Sequence, residues 1–331
     1  MSTDIRWGIA GPGRIAENVV QDFAHVPGAQ VVAVGSRSLD RARAFADRHG
    51  VERAHGSYAE LIADPDVDVL YLATPHPQHH ALALAALRAG KGLLVEKAFT
   101  ATAAGTREVV ALAGQTGAFV MEAMWTRFQP AVVRLRELVA DGAIGELRSV
   151  QADLGVAREF DPEDRLFAPE LGGGALLDLG VYVVSFAQML LGTPDTVTTA
   201  GSRFPTGVDA EAALLLGWSD GRAATLLTSL RNSLPGQARV FGTEGWIDVL
   251  PRFHHPQTIV LHRAGAEPEE ITLPQTGTGY THELIEVTEG VRDGRPESSI
   301  MPLADTVAVM EVLEQAAGQL GVSFTEATGV L

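Results

Sequence analysis

From Ile5 to Glu122 the chain alternates short apolar runs with stretches whose apolar residues recur at helical spacing. Ile5–Ala10 reads as a strand and Ile15–Ala24 as a helix. Val31–Gly35 is followed by the helical "LDRARAFADRHG", and Val67–Thr74, "VDVLYLAT", by the Ala/Leu-rich Gln78–Ala89. Gly92–Glu96, Thr102–Thr116 and Phe119–Glu122 complete the series. Strands that are apolar on both faces and separated by helices imply right-handed βαβ crossovers, hence a parallel sheet covered on both sides. The expected class of this segment is α/β, with ligands at the carboxyl ends of the strands.

The pattern changes after about Ala123. One helical stretch, Ala131–Asp141, leads to a strand from Leu147 and a Gly-rich helix start at Gly172. From Thr196 onward strands dominate, among them "TVTTAGSRF", "AALLLGW", "AATLLTSL", "ARVFG", "GWIDVL", "TIVLHR" and "EEITL". Ser219-Asp220-Gly221-Arg222 reads as a tight hairpin, because Asp-Gly tolerates positive φ. Two domains are therefore expected: residues 1–122, α/β, and residues 123–331, α+β with a mostly antiparallel sheet.

"GIAGPGRIA" places Gly11, Gly13 and Ala16 as G-x-G-x-x-A between the first strand and its helix. The first glycine permits the turn and the second admits a pyrophosphate to the backbone. Arg14 and Ile15 open the helix whose N-terminus faces the phosphates, and the small third residue lets helix and strand pack closely. Standing at the head of a βαβ series, the motif points to a dinucleotide. The second strand ends in Gly35-Ser36-Arg37-Ser38, where an NAD site usually has an acid for the ribose 2′-hydroxyl. Ser36 and Arg37 suit a 2′-phosphate instead, so NADP is favoured and NAD stays possible. Asp40 falls in the first turn of the next helix, with Ser38 as its N-cap.

A formal net charge of −16 disfavours nucleic acid or an anionic membrane as partner. With no cysteine there is no disulfide and no thiolate metal site. No uninterrupted apolar run nears the ~18 residues of a membrane span, and "MSTDIRWGIAG" carries no signal-peptide pattern. The expected location is cytoplasmic.

The segments "GIAGPGRIA", "SRSLDRARAFA", "ATPHPQHH", "AGKGLLVEKAF", "MEAMWTRFQP", "GGGALLDLGVY" and "EVTEGVRDGRPESSIMPLADTVAVMEVLEQ" together resemble the glucose–fructose oxidoreductase / inositol dehydrogenase family. The likeness is strongest to its branch of dihydrodiol and NADP-dependent D-xylose dehydrogenases. It implies an N-terminal Rossmann domain and a second domain with a large, open, mostly antiparallel sheet that binds substrate and pairs copies into homodimers or larger oligomers. It implies further that Thr74, Pro75, His76 and His79 flank the dinucleotide, and that Glu96 and Lys97 stand at the nicotinamide end. Asp178 matches the aspartate of the second-domain helix, and Tyr182 stands where this branch has tyrosine and many members have histidine. Ala98 replaces the proline that usually follows the lysine, which questions a cis peptide there.

Oxidising an alcohol by hydride transfer requires a group that takes the hydroxyl proton. Lys97 and Tyr182 are the candidates, and both residue types ordinarily titrate near ~10, so either needs a neighbour that lowers it. Which of the two carries the proton stays open, and a coupled pair is expected. Asp178 and Tyr182, i and i+4 on one helix, share a face, so Asp178 either bonds substrate or holds Lys97. Trp125 and Arg127 follow the first domain and are expected to line the cofactor–substrate junction, with Phe160 as a further substrate contact. Stacking on a sugar or arene diol and plain core packing explain these aromatics equally, but packing fits Phe128, Phe167 and Phe253 better. His76-x-x-His79-His80 has metal-like spacing but no carboxylate in the motif, and hydride transfer needs no metal, so none is expected. Two rival functions are an NAD-dependent inositol-type dehydrogenase and a non-catalytic dinucleotide-binding regulator.

Overall fold

The structure, a computed structural model, describes residues 4–331 and divides into two compact units. In the first, β1 (Ile5–Ala10), β2 (Ala29–Gly35), β3 (Arg53–His55), β4 (Val69–Leu72), β5 (Gly92–Glu96) and β6 (Val120–Ala123) form a six-stranded sheet. Its order is β3-β2-β1-β4-β5-β6 and every pairing is parallel. Helices Arg14–Asp22, Leu39–His49, Tyr58–Ala63, His76–Arg88 and Ala103–Thr116 make the connections. Ser38, Ser57 and Thr102 each accept a first-turn N–H at a helix start, which supplies one of the donors a helix N-terminus leaves open. The order reverses between β1 and β4, so the crevice where α/β sheets bind ligands opens beside the glycine loop. β3 and the helix Tyr58–Ala63 escape a reading of periodicity, because three and six residues are too few to show a period.

Two contiguous domains, 1–122 and 123–331, were expected; the sheet ends at Ala123, but the compact units are not contiguous stretches. The first unit runs to Met124 and also takes in Thr276–Thr306 and Thr325–Leu331. Helix Thr281–Arg292 belongs to it because buried Asp22 accepts the N–H groups of Thr278, Tyr280 and Thr281 at 2.7–2.9 Å, which caps the helix start. Phe119 lies so close to Gly290 that a Cβ there would stand 2.2 Å from its ring. Glu326 accepts the N–H and hydroxyl of Thr102 at 2.8 and 2.9 Å, tying the last residues to the loop after β5.

The second unit holds an eight-stranded sheet of β7 (Leu147–Gly155), β8 (Thr196–Arg203), β9 (Asp209–Gly217), β10 (Ala223–Ser229), β11 (Ala238–Gly242), β12 (Gly245–Val249), β13 (Thr258–Arg263) and β14 (Glu269–Thr272). The order is β14-β13-β12-β11-β7-β10-β9-β8, antiparallel except where β7 meets β10. The expected hairpin forms: Trp218 N–H donates to Arg222 O at 3.0 Å, and Gly221 has φ +87°. Helix Val181–Leu191 packs on β7 and β10, and buried Val150, Ala152, Ala224 and Leu226 alternate with outward Gln151, Asp153, Thr225 and Leu227. Period-two alternation is what a sheet with one covered face requires. The helical stretch Pro169–Leu191 is long and apolar enough to cross a membrane by composition, but 72% of its apolar window is buried inside the protein, as in a core helix.

Candidate active site

The glycine loop has the geometry its spacing implied. Gly11 has φ +97°, and a Cβ on it would stand 3.0 Å from Ala73 O, so only glycine fits this turn. Gly13 caps the helix Arg14–Asp22 with extended backbone and no side-chain bond to the first-turn N–H groups. A Cβ added at Gly13 would meet nothing within 4 Å. An open space in front of uncapped helix N–H groups is what a pyrophosphate needs, so the loop fits a dinucleotide. Glu17, the acid of that first turn, is paired with Arg48 and His49, which offsets its charge.

At the end of β2, Ser36 is buried and its Oγ accepts Ser38 N–H at 3.3 Å. Arg37 is exposed, and it acts together with Arg41 on the buried Tyr58 hydroxyl. Burial raises that tyrosine, and the two guanidiniums oppose the rise. Arg41 is a second cation that the sequence reading missed. Its place in the first turn after the Ser38 cap was legible and could have pointed to it. Asp40 is exposed in that same turn.

The loops after β4 and β5 interlock. His76 Nε2 donates to Lys97 O at 3.1 Å. His79 is fully buried with Nε2 2.7 Å from Thr74 O and Nδ1 3.1 Å from Ala98 O. Burial holds this imidazole below its ordinary pKa despite those carbonyls, so the neutral ring has one proton to donate between them. Both histidines thus serve the backbone that carries Lys97. His80 pairs with Glu108, and among the described residues no three His, Asp or Glu side chains are grouped to hold a metal. The Lys97–Ala98 peptide is cis with alanine in place of proline. Lys97 is half-buried, and Thr74 Oγ1 is buried without a hydrogen-bond partner. Pro75 caps the helix that begins at His76.

Behind Glu96 lies a buried acidic group that periodicity could not show. Glu96 accepts from the hydroxyl of fully buried Tyr71. Glu283, from helix Thr281–Arg292, is fully buried with both carboxyl oxygens unpartnered. Burial first, then the charges of Glu96 and Asp22, push Glu283 well above the usual carboxylate range, which favours its neutral form. Burial and the same acids raise Tyr280 as well.

In the second unit, Trp125 and Arg127 lie on a short 3-10 turn, Trp125–Phe128. Trp125 is nearly buried, 5.0 Å from the ring of His255 and 6.1 Å from that of His254. Tyr182 is half-buried, with its ring 5.1 Å from His254. The structure thus groups Trp125 and Tyr182 around two histidines that no motif announced. Arg127, expected to line the cofactor–substrate junction, is bonded to the helix Val181–Leu191. It is 1% exposed, and donates from Nε to Ser185 Oγ at 3.1 Å and from Nη2 to Gln188 Oε1 at 2.6 Å. It therefore ties the 3-10 turn to the helix of Tyr182.

Asp178 and Tyr182 do not sit on one regular helix. Leu176–Gly180 is a π turn in which Val181 N–H reaches back to Leu176 O, and the α-helix begins at Val181. The wider turn breaks the i, i+4 alignment that regular α spacing implied, and such turns are frequent at functional sites. Asp178 is mostly buried and bonds Arg165 Nη2 at 3.2 Å. Phe160 is 39% exposed and stacks on Phe204, with its ring edge-on to Phe167. Phe128, Phe167 and Phe253 are core residues.

A six-stranded parallel sheet with this glycine loop at its switch point, followed by a mostly antiparallel sheet, defines an NAD(P)-binding oxidoreductase. Residues 5–124 match the GFO/IDH/MocA oxidoreductase family with its NAD-binding Rossmann fold, and residues 132–248 match the GFO/IDH/MocA C-terminal domain. The chain belongs to this family. It is 37% identical over 331 residues to a trans-1,2-dihydrobenzene-1,2-diol dehydrogenase of Xenopus tropicalis, covering 96% of this chain and 99% of that one. The mouse enzyme of the same name is 38% identical, over 97% and 98% of the two chains. Among solved structures, an aldose-aldose oxidoreductase from Caulobacter crescentus, complexed with glycerol, superposes with a TM-score of 0.86 at 24% identity, over 96% and 98% of the chains. A 3-ketoreductase from Actinomadura kijaniata, in complex with NADP and TDP-benzene, gives 0.83 at 25% identity, over 98% and 100%.

Proposed function

We propose that this oxidoreductase is an NADP-dependent dehydrogenase acting on a hydroxyl of a trans-dihydrodiol or a related cyclic polyol or sugar. The observation that carries the reading is similarity of 37–38% to dihydrodiol dehydrogenases along nearly the whole of both chains. Arg37 and Arg41 at the end of β2, with no acid directly after the strand, support the 2′-phosphate. Gly11, Gly13, Arg14 and Ile15 hold the pyrophosphate, Ser36 and Arg37 the adenosine end, and Thr74, Pro75 and Glu96 line the strand ends. When bound, the nicotinamide accepts the hydride released as the alcohol carbon becomes a carbonyl.

The chain's own task is the hydroxyl proton. We assign it to Lys97 and Tyr182, which take the proton while the O–H bond pair becomes the second bond of C=O and the C–H pair leaves with the hydride. Asp178, held by Arg165, orients the substrate hydroxyls, and Trp125 and Phe160 offer apolar surface for the ring. His76 and His79 position the Lys97 backbone.

The outward face of the second sheet supports self-association. Leu215 is 51% and Leu227 38% exposed on neighbouring strands, with Trp246 and Leu250 farther along the same face. Apolar surface of this kind marks an interaction site, and we assign it to a homodimer.

Purified protein incubated with NADP⁺ and a panel of dihydrodiols, aldoses and inositols, with reduced cofactor followed by absorbance, tests the reading. Reduction with a dihydrodiol or aldose, abolished by Lys97→Met, is the expected result. Tight NADP⁺ binding without turnover on any substrate, or strict use of NAD⁺ with inositols, refutes it.

A further inference from the structure

We infer that Asp209 is a positioning residue for the reaction, its buried carboxylate fixing the start of the π turn that presents Asp178. The inference rests on the proposed roles of Asp178 and Tyr182. Asp209 opens β9 and is 0% exposed, and its Oδ2 accepts Leu176 N–H at 2.6 Å. Gly172-Gly173-Gly174 makes this approach possible. Gly174 has φ +115°, and a Cβ there would stand 2.2 Å from Asp209 Oδ1. A Cβ on Gly173 would stand 2.8 Å from Leu166 O and 2.9 Å from Arg165 O. Arg165 is the residue whose guanidinium pairs with Asp178. One glycine stretch therefore presses both the carboxylate and the Arg165 backbone against the turn that carries Asp178. Thr228, also buried, donates to Ala175 O at 3.4 Å and steadies the same point from β10.

A carboxylate at a helix start complements the open N–H groups, but this one is held against a cost. Burial raises Asp209 to about 6, although the N–H groups of Leu176, Asp209 and Ala175 pull the other way. The charged and titratable neighbours are Asp178 on the turn, Arg203 opposite on β8, Glu211 two residues along β9, and Arg165 and Arg231 on the adjoining loops. None of them is among the causes of the shift. Since the folded value lies above the unfolded one, the stability Asp209 contributes is full below about pH 4 and falls as pH rises through about 6. At neutral pH the ionised group lowers stability. A residue kept only for packing would not do so, whereas stability is commonly given up where a site must be held in place.

Asp209→Asn keeps the shape and an acceptor for Leu176 N–H but removes the charge. It is to be measured beside Asp178→Asn and Tyr182→Phe, using the best substrate of the panel. The expected result is a higher melting temperature than wild type at pH 7.5, with the gap closing toward pH 5. With it, kcat falls about tenfold, KM for NADP⁺ stays within twofold, and the acid limb of kcat near pH 6 is lost. A lowered melting temperature assigns Asp209 to packing alone and overturns the inference. An unchanged kcat, or an unmoved acid limb, overturns it as well. If Asp178→Asn and Tyr182→Phe leave kcat intact, the underlying assignment of this helix fails instead.

Discussion

Replacing Arg127 by methionine separates two roles that its position after β6 leaves equally open. The structure buries its guanidinium against Ser185 and Gln188, one and two turns from Tyr182, with donor–acceptor distances of 3.1 and 2.6 Å. Methionine refills the volume of the stem but leaves Ser185 Oγ and Gln188 Oε1, both in buried residues, without that donor. Each buried acceptor deprived of its partner costs about 1–3 kcal/mol, so Arg127→Met loses about 2–6 kcal/mol. At about 2–4 °C per kcal/mol for a folding unit of this size, the melting temperature falls by roughly 4–24 °C. Scanning calorimetry with saturating and with no NADP⁺ reads this directly. Titration of NADP⁺ by quenching of tryptophan fluorescence, well below the transition, then shows affinity within threefold of wild type. An unchanged melting temperature with a tenfold or greater loss of NADP⁺ affinity would falsify the scaffold role and restore Arg127 to the cofactor.

Three further outcomes are expected. Arg37→Ala raises KM for NADP⁺ by about 10- to 100-fold, the worth of one charge-assisted phosphate bond, and leaves KM for NAD⁺ unchanged; equal effects on both cofactors contradict the 2′-phosphate assignment. Glu283 is held above its ordinary range by burial, so the stability it contributes is full at low pH and is lost as pH rises toward its folded value. Glu283→Gln, neutral at every pH, then gains on wild type in thermal melts as pH rises above the ordinary carboxylate range, and a difference that stays constant with pH contradicts the raised acid. Leu227→Asp, on the outward sheet face, converts a dimer to a monomer in sedimentation velocity with its circular dichroism retained; a wild-type protein that is already monomeric at micromolar concentration rules out the assigned interface.

The glycine loop and five of the six parallel strands were legible because each rests on residues adjacent in the chain, whereas three-residue β3 was too short to show a period. Turn, strand and helix patterns are local, and the +97° φ of Gly11 was implicit in its place between β1 and the following helix. Lys97, Asp178 and Tyr182 stood out only through a resemblance, since a lone lysine or aspartate carries no signal of its own. The glycine triplet at 172–174 announced a helix start but not its reason, which is Asp209, 33 residues beyond Leu176.

What the amino-acid order determined by itself was the class of fold, the dinucleotide loop and the choice of basic over acidic residues at the end of β2. What only the tertiary structure decided was which polar groups are stripped of water. Asp22 meets Thr281 across 259 residues, Glu283 comes to lie in the field of Glu96, and Arg127 turns inward to Ser185 and Gln188. The cost of desolvating a charge depends on everything packed around it. No window along the chain contains those neighbours, and the protonation and role of each buried group are set where the chain returns upon itself.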